Sequence, residues 1–188
     1  MRPVELSDIK NIAEYELLRP ELRPRMMALK DRRRVRLGDH LTLLFENRET
    51  VLYQIQEMMR IERMVKADDI ANEAATYNEL IPAQGEFSAT LLIEYENAEE
   101  RALRLRDLLG LERHIWLEAG GERCQAHFDV RQMSPQRLSA VQYLKFPLSP
   151  KQIRHFARGA KIISDHPNYA ARCALSREQL RELEQDLL

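Results

Sequence analysis

An apolar strand followed directly by a long uninterrupted helix is the feature that most constrains this fold. The segment LTLLF at residues 41–45 is nearly continuous apolar, a pattern typical of a strand buried on both faces. Asn47 is the expected N-cap of the helix that follows, which contains no Gly or Pro from Thr50 to Val65. The sequence therefore predicts a strand and a helix around which the rest of the chain packs.

This helix has side chains to bury, or to bind another molecule, on two sides. Helical periodicity places five apolar residues on the core-facing side: Val51, Ile55, Met58, Met59 and Val65. Tyr53 and Met64 lie on the opposite side, which predicts a lightly covered surface, a subunit contact or a ligand site. Glu62 falls among the apolar residues. Because an unpaired buried charge is costly, this carboxylate either reaches solvent from the last turn, pairs with an arginine or serves a function.

The other elements predict an α+β fold with a mainly antiparallel sheet, a helical N-terminal part packed on it and a C-terminal helix. We expect a single domain over residues 1–188, mostly helical in 1–82 and mostly strand in 83–188 before the last helix. Helices are predicted at residues 7–18, 21–34, 68–81 and 98–109, and after Ser176. Strands are predicted at residues 87–95, 114–119, 122–130, 139–147 and 160–164, and Gly38 ends a short segment at residues 35–37. Gly120 and Gly121 predict a two-residue hairpin turn.

Composition excludes several classes of protein. With 44% hydrophobic and 31% charged residues the chain resembles an ordinary soluble protein, and no apolar run approaches the ~20 residues that cross a bilayer. The first ten residues lack the apolar segment of a secretory signal. Cys124 and Cys173 are too few for a disulfide framework or a thiolate metal site. We therefore expect a cytoplasmic protein.

The charge is concentrated between Arg19 and Arg36, where eight basic residues face only two acidic ones in a chain of net charge −1. Such a cluster forms a solvated or intramolecularly paired face, or binds an acidic protein partner. The candidate partner-binding residues are Arg32, Arg33, Arg34 and Arg36. Nucleic-acid binding through this cluster is a weaker alternative, since the chain lacks a basic balance overall and aromatic residues near the cluster.

Catalytic motifs are mostly missing from the sequence. It contains no Gly-rich phosphate loop, no HExxH and no GxSxG, and its five histidines show no ligand spacing. These observations disfavour an enzyme and suggest neither a metal nor a cofactor. The segment DHPNY at residues 165–169 has the most chemical character, because sites often form in loops after strands. The alternative interpretation of this segment is an ordinary turn that Tyr169 anchors.

An enzyme or small-ligand sensor remains the alternative function. It requires that scattered polar residues converge on a cleft near Glu62 and His166, with apolar walls that exclude water. The candidate ligand-binding residues are Glu46, Arg48, Glu62, Asn78, Glu79, His166 and Tyr169. Asn78 and Glu79 have a simpler alternative role as capping groups at the end of the preceding helix.

Five segments together resemble a bacterial family of unknown function. They lie at residues 32–36, 41–63 (LTLLFENRETVLYQIQEMMRIER), 76–82 (TYNELIP), 140–147 (AVQYLKFP) and 166–169 (HPNY). The chain is similar over essentially its whole length to the domain of unknown function three-five-zero-one. The resemblance carries no established activity. Because such families are commonly encoded near rubrerythrin-like and iron–sulfur oxidoreductase proteins, it implies an accessory role in redox or peroxide response.

The preferred function is therefore a cytoplasmic accessory or adaptor protein whose basic cluster meets an acidic partner, expected to be a redox protein. Self-association into a homo-oligomer is a further expectation. No membrane interaction is expected.

Overall fold

The computed structural model describes residues 1–132 and 136–187, which form an α+β fold. The helices are α1 (Ile12–Arg32), α2 (Arg48–Glu62), α3 (Ala67–Asn78), α4 (Ala98–Asp107), α5 (Pro150–His155) and α6 (Arg177–Glu184). The strands are β1 (Arg34–Leu37), β2 (Leu41–Glu46), β3 (Glu86–Ile93), β4 (Ile115–Ala119), β5 (Glu122–Gln125), β6 (His127–Phe128), β7 (Val141–Pro147), β8 (Ala160–His166) and β9 (Tyr169–Ala174). Short 3-10 turns lie at Leu6–Asp8, Leu111–Arg113, Val130–Gln132, Phe156–Arg158 and Gln185–Leu187. The predicted fold class is confirmed.

The strands form two antiparallel sheets. The larger sheet has the order β1-β2-β3-β7-β6, and the smaller has the order β5-β4-β8-β9. One hydrophobic core joins their inner faces, and the rings of Phe45, Phe87 and Phe146 lie at its centre with centroids 5.6 and 6.1 Å from Phe45. The outer face of the larger sheet is left for the N-terminal helices.

Helix α2 packs on that outer face, as the sequence predicts. All six positions of β2 are buried, because the core covers one side of the strand and α2 covers the other. Val51, Ile55 and Met59 are buried in a cluster shared with the N-terminal segment and α3. On its opposite side Tyr53 is buried against α1. The helix does bury side chains on two sides, but the second side packs against α1. The lightly covered surface, subunit contact or ligand site expected around Tyr53 is therefore replaced by a contact within the chain.

The last turn of the predicted helix does not form. The Asn47 side chain caps the start of α2 at 3.0 Å from the Thr50 N–H, but the helix ends at Glu62 and Arg63 adopts the left-handed conformation (φ 53°). Val65, predicted to be in the core, is 79% exposed because it no longer follows helical periodicity. Glu62 is exposed, which confirms the solvent-facing alternative for that carboxylate.

The two helices predicted at the N-terminus form one helix. α1 starts after Asn11, whose side chain accepts from the Glu14 N–H at 3.0 Å, and continues through Pro20 and Pro24. Proline in a helix interior removes a hydrogen bond and usually ends the helix. Here buried anchors lie on both sides of the prolines, Tyr15 before them and Met26 with Leu29 after them, and tertiary packing preserves the helix.

Two further predictions of strand boundaries need correction. The hairpin at residues 120–121 joins β4 and β5 as predicted, but the strand expected at residues 122–130 divides at Ala126 between the two sheets. The Ala126 N–H donates to the Ile115 carbonyl at 2.8 Å, and β6 then pairs with β7 in the larger sheet. The tight turn after His166 leads into β9, a strand that the sequence patterns did not predict.

Candidate ligand-binding cleft

An open cleft lies where the helical layer ends and the larger sheet continues. Helices α2 and α3 cover the outer face of the sheet near β2, whereas the outer face of β7 and β6 is only partly covered. The resulting concavity of about 850 Å³ has the sheet as its floor and the C-terminal half of α3 as a wall. Tyr77 and Leu80 contribute the apolar part of that wall.

Strand register aligns the polar floor of the cleft. Ser88 of β3 lies opposite Lys145 of β7, and Lys145 lies opposite His127 of β6. Directly opposed residues have Cβ atoms about 4.5–5.5 Å apart, so the three side chains form one row across the floor. Lys145 is held by Glu86 at 2.9 Å and keeps donors for another group, since an ammonium has three. His127 is exposed.

Arg131 forms an ionic bridge at one end of the cleft. Its guanidinium donates to the Asp129 carboxylate at 2.7 Å and also contacts the Glu79 carboxylate at the end of α3. These hydrogen bonds from Arg131 lower the pKa of both carboxyl groups below their usual values. The bridge ties the helical wall to the segment after β6, and Glu79 is the one predicted ligand-binding residue that lines this cleft.

Two phenol groups line the cleft, that of Tyr77 on the α3 wall and that of Tyr143 on the sheet floor. Burial raises the pKa of Tyr77 and of Tyr143, and the negative charges of Glu73 and Glu46, respectively, add to the effect. Both hydroxyl groups therefore stay protonated near neutral pH and remain able to donate and accept hydrogen bonds.

The other predicted ligand-binding residues have structural partners elsewhere. Glu46 is 8% exposed beneath α2, where its carboxylate accepts from the hydroxyls of Thr50 at 2.5 Å and Thr90 at 2.7 Å. Arg48 pairs with Asp8. Asn78 binds the backbone of Val4 through two hydrogen bonds of 2.8 and 2.9 Å, so it anchors the N-terminal segment and does not cap α3.

Glu62 and His166 do not meet in one cleft. Glu62 is exposed at the end of α2, whereas His166 is 3% exposed at the end of β8 in the other sheet. The His166 ring contacts the Leu109 carbonyl at 3.2 Å and accepts from the Asn168 N–H at 3.2 Å, which stabilises the β8–β9 turn. The predicted convergence of these residues is therefore wrong, because the two belong to opposite layers of the fold.

Tyr169 is an anchor between the two sheets. Its hydroxyl donates to the Leu37 carbonyl at 2.8 Å and accepts from the His40 N–H at 2.9 Å. The alternative of an ordinary anchored turn at residues 165–169 thus matches the contacts of Tyr169.

Part of the basic cluster is buried and forms ion pairs within the protein. Arg33 is fully buried: it donates to the carbonyls of Phe45 at 2.8 Å and Glu46 at 3.2 Å, and it pairs with Glu182 and Asp186 near the C-terminus. It cannot present its guanidinium to a partner, so its assignment to a docking surface is wrong. Arg33 instead fixes the C-terminal helix region to β2.

The three neighbouring arginines differ from Arg33 in exposure. Arg32 pairs with Glu182 at 3.0 Å and Arg34 pairs with Asp31 at 2.9 Å, each with more than a third of its side chain exposed. Arg36 is exposed on the edge strand β1. These three residues remain at the surface.

A second polar group lies on the smaller sheet and includes the start of the segment 165–169 that the sequence indicated, together with two residues of the 114–116 segment that it did not. Asp165 accepts hydrogen bonds from the His114 ring at 2.8 Å and from the Trp116 indole at 3.1 Å. Partial burial alone would raise the pKa of Asp165, but these two donors hold it below its usual value. The His166 ring stands edge-on to His114 with centroids 5.1 Å apart.

Metal-ligating clusters and membrane-spanning helices are both missing from the described residues, 1–132 and 136–187. No three side chains of the His, Cys, Asp or Glu type are grouped there so as to hold a metal ion. Within the same residues no helix combines the length and the apolar character that a transmembrane span requires.

The cleft was missed because its parts are far apart in the sequence. Lys145 and Tyr143 alternate on β7 with the buried Leu144 and Phe146, and this alternation is the one local signal of a polar face. The positions of Ser88 and His127 beside Lys145 depend on strand order, which the sequence did not determine.

Fold and site together define an α+β protein with two antiparallel sheets and an open polar cleft under the end of a helical layer. A family model described as Protein of unknown function (DUF3501) matches residues 3–187, and the chain belongs to this family. A crystal structure of a protein of unknown function from Burkholderia pseudomallei K96243 is similar along the whole of both chains, with 31% identity and a TM-score of 0.93. A comparison with curated proteins found no significant match.

Proposed function

We propose that this protein binds a small organic molecule in the cleft between α3 and the outer face of the larger sheet. The observation that carries the proposal is the polar row of Ser88, Lys145 and His127, which faces Tyr77 and Leu80 of α3 across one concavity. Small-molecule sites are usually concavities of about 300–1,000 Å³ with apolar walls and a few convergent polar groups. The cleft has this form.

The polar groups of the cleft support binding more directly than catalysis. Lys145 is paired with Glu86, and Arg131 is shared between two carboxylates, so both cations already have anionic partners. Hydrogen-bond donors beside two protonated phenols favour recognition of a polar ligand. A ligand sensor or carrier is the function that these groups support best.

The test is a ligand screen with a blocked cleft. Thr76 lines the cleft and is exposed on α3, so Thr76→Trp should fill its mouth without disturbing the core. Ala75 is the matched control, because it is exposed on the same helix and does not line the cleft. A library of small metabolites is screened against the unaltered protein and both variants by ligand-observed NMR.

We expect compounds whose signals of binding disappear with Thr76→Trp and persist with Ala75→Trp. Equal far-ultraviolet circular dichroism and unfolding midpoints for the two variants would exclude misfolding as the cause. A screen without any binding compound, or one whose compounds bind all three proteins equally, would contradict the proposal.

A second candidate function is the docking of an acidic protein, expected to be a redox partner. Its support is a surface, here called the α1–α6 surface, on which four arginines outnumber three glutamates: Arg25, Arg32, Arg177 and Arg181 against Glu49, Glu178 and Glu182. Arg32 lies between two neighbouring depressions, one lined by Arg25 and the other by Arg177 and Arg181. Arg177 and Arg181 come from the C-terminal helix and add to the cluster recognised in the sequence.

Native mass spectrometry of the protein purified from its own cells tests this candidate. An acidic protein should co-purify, dissociate as salt rises and be lost with the double variant Arg177→Glu/Arg181→Glu. Iron in that partner would support the redox association. A partner that tolerates both high salt and the double variant would contradict docking on the α1–α6 surface.

A further inference from the structure

The sheet floor of the cleft carries a cationic side chain, whereas the α3 wall carries anionic ones. The sheet floor presents the Lys145 ammonium and the His127 ring, adjacent to each other across β7 and β6. The α3 wall presents the carboxylates of Glu73 and Glu79. Because the Arg131 bridge already neutralises much of Glu79, the half-buried Glu73 is the carboxylate left on that wall for a ligand.

This distribution selects against ligands with a single charge. A ligand with only a carboxylate gains the N–H donors that Lys145 keeps beside its pairing with Glu86, but meets the like charge of Glu73. A ligand with only an ammonium gains from Glu73 but leaves those donors of Lys145 without an acceptor. A like-charge contact in a partly buried site lowers affinity. A ligand with both charges has each one compensated, provided that its carboxylate faces the sheet and its ammonium faces α3.

The surfaces between the two charges are apolar or aromatic. Tyr77 and Leu80 lie on α3, while Phe128 and Tyr143 lie on the sheet. The hydroxyls of Tyr77 and Tyr143 are protonated, so they add hydrogen bonds without adding charge. An apolar side chain of the ligand would bury its surface against these residues.

We propose that the ligand of the cleft is a zwitterion of the amino-acid class with an apolar or aromatic side chain. Its carboxylate binds Lys145 and His127, and its ammonium binds Glu73. The inference rests on the proposed function, since it names the class of molecule that the same cleft takes. A cleft of about 850 Å³ also accommodates a dipeptide of this kind.

Matched series of probes test the inference by isothermal titration calorimetry. Three series are used, based on free phenylalanine, leucine and methionine, each with its analogue that lacks the amino group and its analogue that lacks the carboxylate. In at least one series the amino acid should bind about tenfold more tightly than both analogues, because each analogue is missing one of the two ionic interactions with the protein.

Charge-removing variants then assign the two ends of the ligand. Glu73→Gln should weaken binding of the amino acid and leave binding of the analogue without an amino group unchanged or stronger. Lys145→Gln should show the converse pattern with the analogue that lacks the carboxylate. Glu99→Gln on α4 is the control and should change none of the affinities, because Glu99 does not line the cleft.

The outcomes separate this inference from the proposed function. The assignment of a zwitterionic ligand is wrong if an analogue with a single charge binds as tightly as its amino acid. It is also wrong if no series binds although other library compounds bind the unaltered protein and not Thr76→Trp. In both cases the cleft remains a binding site. If no compound responds to Thr76→Trp, both proposals fail.

Discussion

The buried Arg33 allows the sharpest prediction about the stability of this fold. Its guanidinium donates to the backbone carbonyls of Phe45 and Glu46 at the end of β2, and it pairs with Asp186 and Glu182. Arg33→Met keeps the apolar stem of the side chain and removes the charge. It leaves Asp186, whose side chain is 3% exposed, without its cation.

The expected cost is about 3–5 kcal/mol of unfolding free energy, the usual range when one partner of a buried ion pair is removed and the other stays charged. Arg34→Met is the matched control from the next position. Its partner Asp31 is 68% exposed and Arg34 itself is 37% exposed, so that pair should contribute less than about 1 kcal/mol.

Urea unfolding followed by circular dichroism measures both variants. The midpoint should fall strongly for Arg33→Met and slightly for Arg34→Met, with similar denaturant slopes, because the same surface is exposed on unfolding. Removing the stranded carboxylate as well, in Arg33→Met/Asp186→Asn, should recover part of the loss. Coupling of this kind is expected for residues in direct contact.

The pH dependence gives an independent check. Burial raises the pKa of Asp186 and the hydrogen bond from Arg33 opposes that rise, so the pKa should increase further in Arg33→Met. A carboxyl group whose pKa is higher in the folded state binds more protons there than in the unfolded state, and stability then falls as pH rises through that interval. The variant should therefore lose more stability at about pH 7 than at about pH 5.

A loss below about 1 kcal/mol for Arg33→Met, or a loss equal to that of Arg34→Met, would refute the argument that Arg33 stabilises the fold through a buried network. A loss independent of pH would refute the role given to Asp186.

Three further substitutions test individual contacts. Gly38→Ala should destabilise the protein more than Gly121→Ala in urea unfolding. Both glycines have positive φ (70° and 77°), but only at position 38 would the new Cβ lie 2.6 Å from the Tyr169 hydroxyl. Equal losses of stability would contradict a steric role for that contact. Tyr169→Phe removes a hydroxyl with backbone partners at 2.8 and 2.9 Å and should cost about 1–3 kcal/mol in the same assay, whereas an unchanged midpoint would show that the anchor contributes nothing. The hydrogen bond from Arg19 is the largest factor that lowers the pKa of Glu57 from 4.5 to about 2. The ionised Glu57 therefore stabilises the folded state fully above about pH 4.5, and this contribution is lost as pH falls towards 2. Thermal melts of Glu57→Gln should therefore depend less on acid pH than those of the unaltered protein, and parallel pH profiles would exclude this contribution.

The candidate site was much less predictable than the elements that build it. Of the seven residues proposed from sequence as ligand-binding, Glu79 lines the cleft, while Glu46 and Asn78 are hydrogen-bonded within the scaffold. A polar residue in an apolar stretch of sequence indicates that its side chain needs a polar partner. The sequence does not indicate whether that partner is a ligand or another part of the chain. Lys145 and His127 become neighbours only through the pairing of β7 with β6.

Local patterns of the sequence determined the elements whose stability is local. Strand β2, the start of α2 at its Asn47 cap and the hairpin at residues 120–121 follow from apolar runs, a capping side chain and two glycines with positive φ. Tertiary structure alone decided where distant segments meet. Helix α1 continues through Pro20 and Pro24 because packing on both sides outweighs the missing hydrogen bonds, and Arg33 is buried because carboxylates about 150 residues later in the chain compensate its charge. The cleft likewise exists because the larger sheet is wider than the helical layer that covers it. No short stretch of sequence determines how these two widths compare.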